Sequence, residues 1–556
     1  MHSLAALPVL VVDCQATLAA PRGHLIELGW ALALPRTTTT HAPLAPSARL
    51  VRLPEGVHVP QGVSRITGIT DDLLADAIAV EDAWRELVRD AHTLCAQPAP
   101  AVAHFARFER PFLERLAAGA PPLDIVCTHE IALRLFPELP RRGLRALTGY
   151  FGRSVGTLRR SAEHVIATSF VWQHLAALLD ERGVRSWPDL RAWLAEPVSR
   201  RARAKRGWPM PRELRLALPD KPGIYRMLRT SGDVLYVGKA ASLRKRVNSY
   251  FRKQTGIHER TLEMLSQARA LSYVVAETPF EAALLEPDEI KQSRPPYNEA
   301  LTETDRAVWF ARADLSAKSP RAATGCTVGP LPSALLLDRL DALTSRAPTA
   351  LAPARWAPST AVFEGGLELV RHSHRELAEG VAPRPLLVLG ARLWREGRRL
   401  REEDDAVDER RVHSSDAGPL FARAWTPAQV AAEVESLALQ CAHAVRRGRW
   451  ITALVESTVT FYEPPATDGA RLLVLCGGEI VRRERAAKDA VPPVPDFYRR
   501  SRSERHAGFT IARFDRLRVL TTELKRLVAK GHSVCVRLAP RAALSGERLA
   551  RILGWL

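Results

Sequence analysis

The chain has seven cysteines in 556 residues and no C-x-x-C pair. Cys14, Cys95, Cys127, Cys326, Cys441, Cys476 and Cys535 are scattered, which argues against a zinc ribbon or finger and fits reduced, mostly buried thiols in a cytoplasm. Long apolar runs are also missing, so no segment is expected to span a membrane. The run Leu4–Val12 is short, lacks a basic flank and ends in Asp13, which reads as a buried strand and not as a signal peptide. No internal repeat and no long low-complexity segment is legible.

Positive charge is abundant. The formal net charge is +19, which points to a polyanionic partner, nucleic acid being the commonest. A genome that prefers Arg to Lys would give the same excess. A hydrophobic fraction of 46% is ordinary for globular protein, and the length suits roughly three or four domains.

Residues 1–185 alternate strands (Leu7–Asp13, His24–Leu34, a short one from Val102) with helices near Glu81–Cys95, Phe108–Ala118 and Glu163–Glu181, an α/β layout. Residues 186–215 break the pattern. The basic stretch from Pro197 to Pro209 reads as an exposed linker, either touching phosphates or simply solvated. Residues 216–300 form a compact unit. In it, Gly223–Arg229 and Val234–Val237 make a hairpin, and Ser242–Arg252 is a basic helix with Ser242 as N-cap. Leu271–Val275 is a third strand, and Thr278-Pro279-Phe280-Glu281 opens another helix. Residues 301–556 read as an α+β region. A helix runs from Thr426-Pro427 to about Arg446, strands cover Ile451–Phe461 and Arg471–Val481 with Gly477-Gly478 as a turn, and Asp515–Lys530 is a basic helix.

The unit at 216–300 carries the side chains that phosphodiester hydrolysis needs: groups to handle a water, a cation and the charge on phosphate oxygens. Tyr225 and Tyr236 lie on the paired strands and Lys239 follows in a Gly-Lys turn. Arg246 and Tyr250, four apart, share a helix face; Glu286 lies on the later helix, and Asn298 follows Arg294-Pro-Pro-Tyr297. Taken singly, such tyrosines pack, such arginines are solvated and a lone Glu is surface; the spacing taken together favours function. Pro222-Gly-Ile-Tyr225, Tyr236-Val-Gly-Lys239, Leu243-Arg-Lys-Arg246-Val-Asn-Ser-Tyr250 and Leu285-Glu286…Arg294-Pro-Pro-Tyr297-Asn298 together resemble the GIY-YIG nuclease family, in its UvrC/Cho branch. The resemblance implies that Glu286 holds one divalent cation, Mg²⁺ or Mn²⁺. Tyr236 would be the general base or position the water, with Tyr225 beside it. Lys239 and Arg246 would stabilise the transition state, Tyr250 would bond the phosphate and Asn298 would brace the site. One departure is Pro287, inside the helix directly after Glu286. An interior proline typically costs about 3 kcal/mol and kinks the axis, which would re-aim Glu286 or weaken metal binding, with Asp288 and Glu289 as substitutes if the helix is broken.

Residues 1–185 resemble the DEDDh exonucleases, with a ribonuclease H-like fold, over Val11-Val-Asp13-Cys-Gln15-Ala-Thr17, Ile66–Thr70, Ala103-His-Phe-Ala-Arg-Phe-Glu109 and Glu163-His164…Ser169. Asp13 keeps the family's first Asp and His164 the place of its general base, but Gln15, Glu109 and Ser169 replace a Glu, an Asp and an Asp. Two lost carboxylates weaken a two-metal site, so exonuclease activity is expected to be absent or severely reduced. Without them the reading of His164 as a satisfied helix histidine is favoured.

Val328-Gly-Pro330-Leu-Pro-Ser333 resembles a segment that follows the nuclease domain in UvrC-like proteins. His372-Ser-His374 reads as a surface loop, and Arg482–Arg485, Arg499–Arg502 and Lys525-Arg526 as phosphate contacts or a solvated face. The expected architecture is thus multidomain, α/β and α+β. It comprises a degenerate exonuclease-like domain (1–185), a basic linker (186–215), a GIY-YIG domain (216–300) and a C-terminal region (301–556). The expected function is a metal-dependent endonuclease acting on damaged or structured DNA in excision repair, with DNA and other repair proteins as partners, no membrane, and a cytoplasmic, nucleoid-associated location. A 3′–5′ exonuclease and a catalytically dead DNA-binding scaffold are the alternatives.

Overall fold

A computed structural model describes all residues except 1–2, 34–43, 95, 118–121, 155, 198–206, 253–255, 299–306, 316–317, 321–325, 327, 353–356, 398–424, 464–468, 477–478, 488–490, 495–508, 540 and 555. Most of the basic stretch between Pro197 and Pro209, the Gly477-Gly478 turn and Arg499–Arg502 therefore lie outside the described residues.

The N-terminal sheet comprises β1 (Val9–Ala16), β2 (Leu25–Ala33), β3 (Ser47–Leu50), β4 (Ala99–Ala103) and β5 (Leu123–Cys127), ordered β3-β2-β1-β4-β5. β2 runs against β1 and β3, while β1, β4 and β5 are parallel. This is the ribonuclease H-like arrangement expected from the sequence. Alternate residues of β1 serve opposite faces. Val9 and Val11 pack with Val165, Val171 and Leu175, whereas Leu10 and Val12 pack with Leu87 and Phe112. The apolar run ends at Val12, yet β1 continues to Ala16, so Asp13 and Gln15 are strand residues at the edge of the core.

The segment after residue 185 is not linker throughout. Trp187–Ala195 is a helix, started by a Ser186–Asp189 capping box with proline in its first turn. The short helix Arg212–Leu216 precedes the second unit.

In that unit β6 (Gly223–Leu228) pairs antiparallel with both β7 (Val234–Ala240) and β8 (Ala270–Val275), in the order β7-β6-β8. Helices Leu243–Arg252, Glu259–Gln267 and Pro279–Ser293 surround it. Tyr225, Met227, Leu235, Leu243, Val247 and Leu265 share its core. The helix Pro279–Ser293 opens on Thr278, whose hydroxyl accepts the Glu281 N–H, as the sequence predicts.

Further on, β9 (Trp309–Ala311), β10 (Lys318–Ser319) and β11 (Val328–Leu331) form a small sheet beside helices Leu335–Thr344, Thr360–Ser373, Pro383–Arg395 and Pro427–Leu454. The last helix is longer than expected. Ile451 and Leu454, read as the start of a strand, are one helical turn apart and buried in one core; a short apolar run does not by itself separate helix from strand. The final sheet has β12 (Ser457–Phe461), β13 (Ala470–Cys476), β14 (Glu479–Ala486), β15 (Val534–Arg537) and β16 (Ala543–Ser545), ordered β14-β13-β12-β15-β16 and antiparallel throughout. Phe280 and Leu284 of helix Pro279–Ser293 join the core of this sheet, with the Phe280 and Phe461 rings 4.1 Å apart. The helix that carries Glu286 thus serves two units. Among the described residues no helix is long and apolar enough to cross a membrane.

His374, read as part of a surface loop, is buried at the end of helix Thr360–Ser373. Its Nε2 lies 2.7 Å from Glu435 and its Nδ1 2.9 Å from Arg392, so protein partners satisfy both ring nitrogens. His372 is exposed, and among the described residues no three His, Cys, Asp or Glu side chains cluster in a metal-holding group.

Candidate active site

The hairpin register sets the first half of the site. Tyr225 stands opposite Gly238, and Met227 opposite Tyr236, so the tyrosines are diagonal neighbours on one face. Gly238 is what lets them meet. A Cβ there would lie 2.5 Å from the Tyr225 hydroxyl and 2.8 Å from the Tyr236 ring. Helix Leu243–Arg252 adds Tyr250. The rings of Tyr225, Tyr236 and Tyr250 form a triangle with centroids 6.2–6.4 Å apart, and the Tyr225 and Tyr250 hydroxyls are 3.0 Å apart. Arg246, one turn before Tyr250, lies 5.1 Å from its ring centre.

Helix Pro279–Ser293 closes the other side and continues through Pro287. Glu286 is not turned away. Its Oε1 accepts the Lys239 backbone N–H at 3.1 Å, and its Oε2 lies 3.5 Å from the Lys239 ammonium. The neighbouring acids are engaged elsewhere, Asp288 with Arg516 and Glu289 with Arg226 and Ser293, so neither stands in for Glu286. Asn298 grips β7, accepting the Val237 N–H and donating to the Val237 carbonyl, each at 2.9 Å. Tyr236, Tyr250, Glu286 and Asn298 line one cavity of about 490 Å³. His258, Arg260 and Thr261, which the sequence does not single out, also line it. They come from helix Glu259–Gln267 and its N-cap, outside the recognised spacing.

Electrostatics follow from this enclosure. Burial raises the Glu286 carboxyl above its ordinary range, and Lys239 then Arg246 oppose the rise. Burial, the neighbouring Tyr250 and the Glu286 charge hold Tyr236 well above the usual phenol range, while Arg246 pulls it down. Tyr225 is fully buried, and burial with the neighbouring Tyr250 and Tyr236 raises it. The geometry brings Tyr225, Tyr236, Lys239, Arg246, Tyr250, Glu286 and Asn298 together.

The N-terminal cluster is also assembled. His164 Nδ1 lies 3.0 Å from Asp13 Oδ1, and the Gln15 amide donates to Asp13 Oδ2 at 3.1 Å. Burial opposes a charged His164, but Asp13, the Leu158 backbone and Glu163 together outweigh it and raise the imidazole above its ordinary value. Glu109 is 3% exposed, its Oε2 has no hydrogen-bond partner, and burial with the nearby Asp13 pushes its carboxyl up to about 9. Ser169 is buried on helix Ser161–Glu181 and supplies no charge. His164 is therefore a hydrogen-bonded partner of Asp13, and Glu109 is protonated at neutral pH.

Of the basic groups read as phosphate contacts or a solvated face, Arg526 is paired with Glu523 and Glu463, Arg482 with Glu484, and Arg485 with Glu277. Arg526 is largely enclosed by its carboxylates, whereas Arg482 and Arg485 remain exposed in solvent-facing pairs.

Known proteins resemble parts of this chain. Residues 221–299 match the UvrC-like GIY-YIG domain, so the chain carries a GIY-YIG endonuclease domain of the UvrC type. A Mycobacterium tuberculosis protein named as a bifunctional exonuclease/endonuclease is 31% identical over 262 residues, 46% of this chain and 39% of that protein. UvrABC system protein C of Psychrobacter arcticus is 40% identical over 126 residues, 21% of this chain and 20% of that protein. The chain therefore spans well under half the length of the curated relatives it matches. Among solved structures, the GIY-YIG N-terminal endonuclease domain of UvrC from Thermotoga maritima, bound to its catalytic magnesium, is 36% identical. It aligns over 16% of this chain and 93% of that one, with a TM-score of 0.14.

Proposed function

We propose that the chain is a divalent-cation-dependent DNA endonuclease that cuts at the Glu286 cleft, acting on damaged or structured DNA in excision repair. The observation that carries the reading is the convergence of Glu286, Tyr236 and Tyr250 on one cavity, with Lys239 and Arg246 at its edge.

The cleft suits a single hard cation. Glu286 is an enclosed carboxylate whose nearest cation is a lysine, and among the described residues it belongs to no group of three metal-holding side chains. One carboxylate, with water and phosphate oxygens completing the set, is a mode that fits Mg²⁺, and Mn²⁺ by similar ligand preference. Such an ion would neutralise charge on the phosphate and leaving oxygens. The residues of this chain do the rest. Burial keeps the Tyr236 phenol protonated, which favours it as the group that orients the attacking water and relays that water's proton, taking it at the phenol oxygen while its own O–H proton leaves to solvent, over a resident phenolate base. Arg246 and Lys239 stabilise charge in the transition state. The Tyr225–Tyr250 hydroxyl pair presents Tyr250 to the phosphate, and Asn298 holds β7 in place.

The N-terminal unit is proposed to hold DNA without trimming it. With Gln15 and Ser169 in place of acids, the cluster keeps two carboxylates, Asp13 and Glu109, where a two-ion site uses about four. DNA and other excision-repair proteins are the proposed partners.

The test is nicking of supercoiled plasmid in Mg²⁺ or Mn²⁺ by the full chain, alongside a 3′-labelled single strand. The reading expects nicking that Glu286→Ala abolishes and a 3′ end left intact. End-trimming that survives Glu286→Ala and dies with Asp13→Ala would make the protein an exonuclease. Absence of both activities would make it a DNA-binding scaffold.

A further inference from the structure

Lys239 has two carboxylates, not one. Its ammonium lies 3.5 Å from Glu286 Oε2 and 3.5 Å from Glu523 Oε1. Glu523 is far away in the chain, on helix Ile511–Ala529, and its side chain is almost fully buried. Two ion pairs fix that helix against Pro279–Ser293: Lys291–Asp515 at 3.0 Å, buried on both sides, and Arg516–Asp288 at 2.7 Å. The charges alternate onward. Glu523 meets Arg526 at 2.5 Å, and Arg526 meets Glu463 at 2.6 Å. Glu463 in turn accepts the N–H of Phe280, in the first turn of the helix that carries Glu286. The chain of groups starts and ends on the element that holds the candidate ligand.

A lysine beside Glu286 competes with any divalent cation for that carboxylate, and like charges repel once the cation is there. Lys239 can remain beside an occupied site only if a second anion takes its charge. We propose that Glu523 is that anion, a positioning residue that draws Lys239 off Glu286 when the cation binds and keeps the ammonium at the edge of the cleft for the phosphate. Glu523 is suited to this because its other cation, Arg526, is shared with Glu463. The C-terminal region thereby becomes part of the cleft's electrostatics. The inference rests on the reading that Glu286 holds the cation.

The experiment is Mn²⁺ binding to the full chain without DNA, read from loss of the free-ion electron paramagnetic resonance signal, with folding checked by circular dichroism. Glu286→Ala should lose the site. Glu523→Gln should weaken it about tenfold, the size of one charge coupling of about one pK unit, and Glu523→Asp should restore most of the loss. Lys239→Met should tighten binding, and in that background Glu523→Gln should change nothing; this is a coupling that a general packing defect would not produce. If Glu286→Ala binds Mn²⁺ as wild type does, the underlying reading fails. If Glu286→Ala loses the site while Glu523→Gln leaves affinity unchanged, or weakens it equally with Lys239 absent, the role of Glu523 is overturned. Should Glu523→Gln not fold, weaker binding by Lys239→Met would overturn it.

Discussion

The Glu286 carboxylate and Lys239 meet twice, through the backbone N–H at 3.1 Å and through the ammonium at 3.5 Å. The backbone contact ties helix Pro279–Ser293 to the end of β7 and fixes where the carboxylate points. It also explains why Pro287 does no visible harm. The helix passes through the proline, and Glu286 is held by a strand as well as by its own helix.

Tyr236 and Tyr225 differ in what their hydroxyls reach. Tyr236 lines the cavity, whereas Tyr225 is fully buried behind it and meets Tyr250. Tyr236→Phe is expected to lower the single-turnover cleavage rate by about 10²–10⁴ with DNA affinity retained, the usual range for losing a positioned proton-transfer group. Tyr225→Phe should lose less, about tenfold, through misplacement of Tyr250. Rate and affinity measured separately on one duplex decide this; equal losses in both variants would contradict it.

Lys291 and Asp515 form a buried pair between the site helix and the C-terminal helix. Removing one partner of such a pair leaves an uncompensated charge, typically a loss of about 3–5 kcal/mol. Asp515→Ala should therefore lower the midpoint of urea unfolding substantially, and Asp515→Leu with Lys291→Met should recover much of it. A neutral Asp515→Ala would show that the two helices do not depend on each other.

Glu109 gives a pH signature. Its folded-state carboxyl sits at about 9, above its ordinary 4.5, so the folded form prefers the proton. Its contribution is fully present below pH 4.5 and is lost as pH rises towards 9. Glu109→Gln, which cannot ionise, should raise the melting temperature relative to wild type at pH 8.5 and by progressively less towards pH 5. Each kcal/mol corresponds to about 2–4 °C in a unit of this size. A difference that is constant across that range would remove Glu109 as the titrating group.

Local patterns made much of this readable. Turn residues and alternation marked the β6–β7 hairpin, a hydroxyl followed by proline marked Pro279–Ser293, and four-residue spacing put Arg246 with Tyr250. Helix Trp187–Ala195 was missed although Ser186, Pro188 and Asp189 signal its start, because the basic run after it dominated the segment. Ile451–Leu454 was misassigned because a buried apolar run has no period of its own. His258, Arg260 and Glu523 reach the cleft only through tertiary packing, and nothing in their local sequence marks them.

The most direct measurement is single-turnover cleavage of an end-labelled duplex at saturating Mg²⁺ by wild type and Glu286→Ala at equal DNA occupancy. Losing the carboxylate that anchors the cation should slow cleavage by about 10²–10³, the range seen when one key electrostatic group is removed. Cleavage by Glu286→Ala at the wild-type rate would contradict the account.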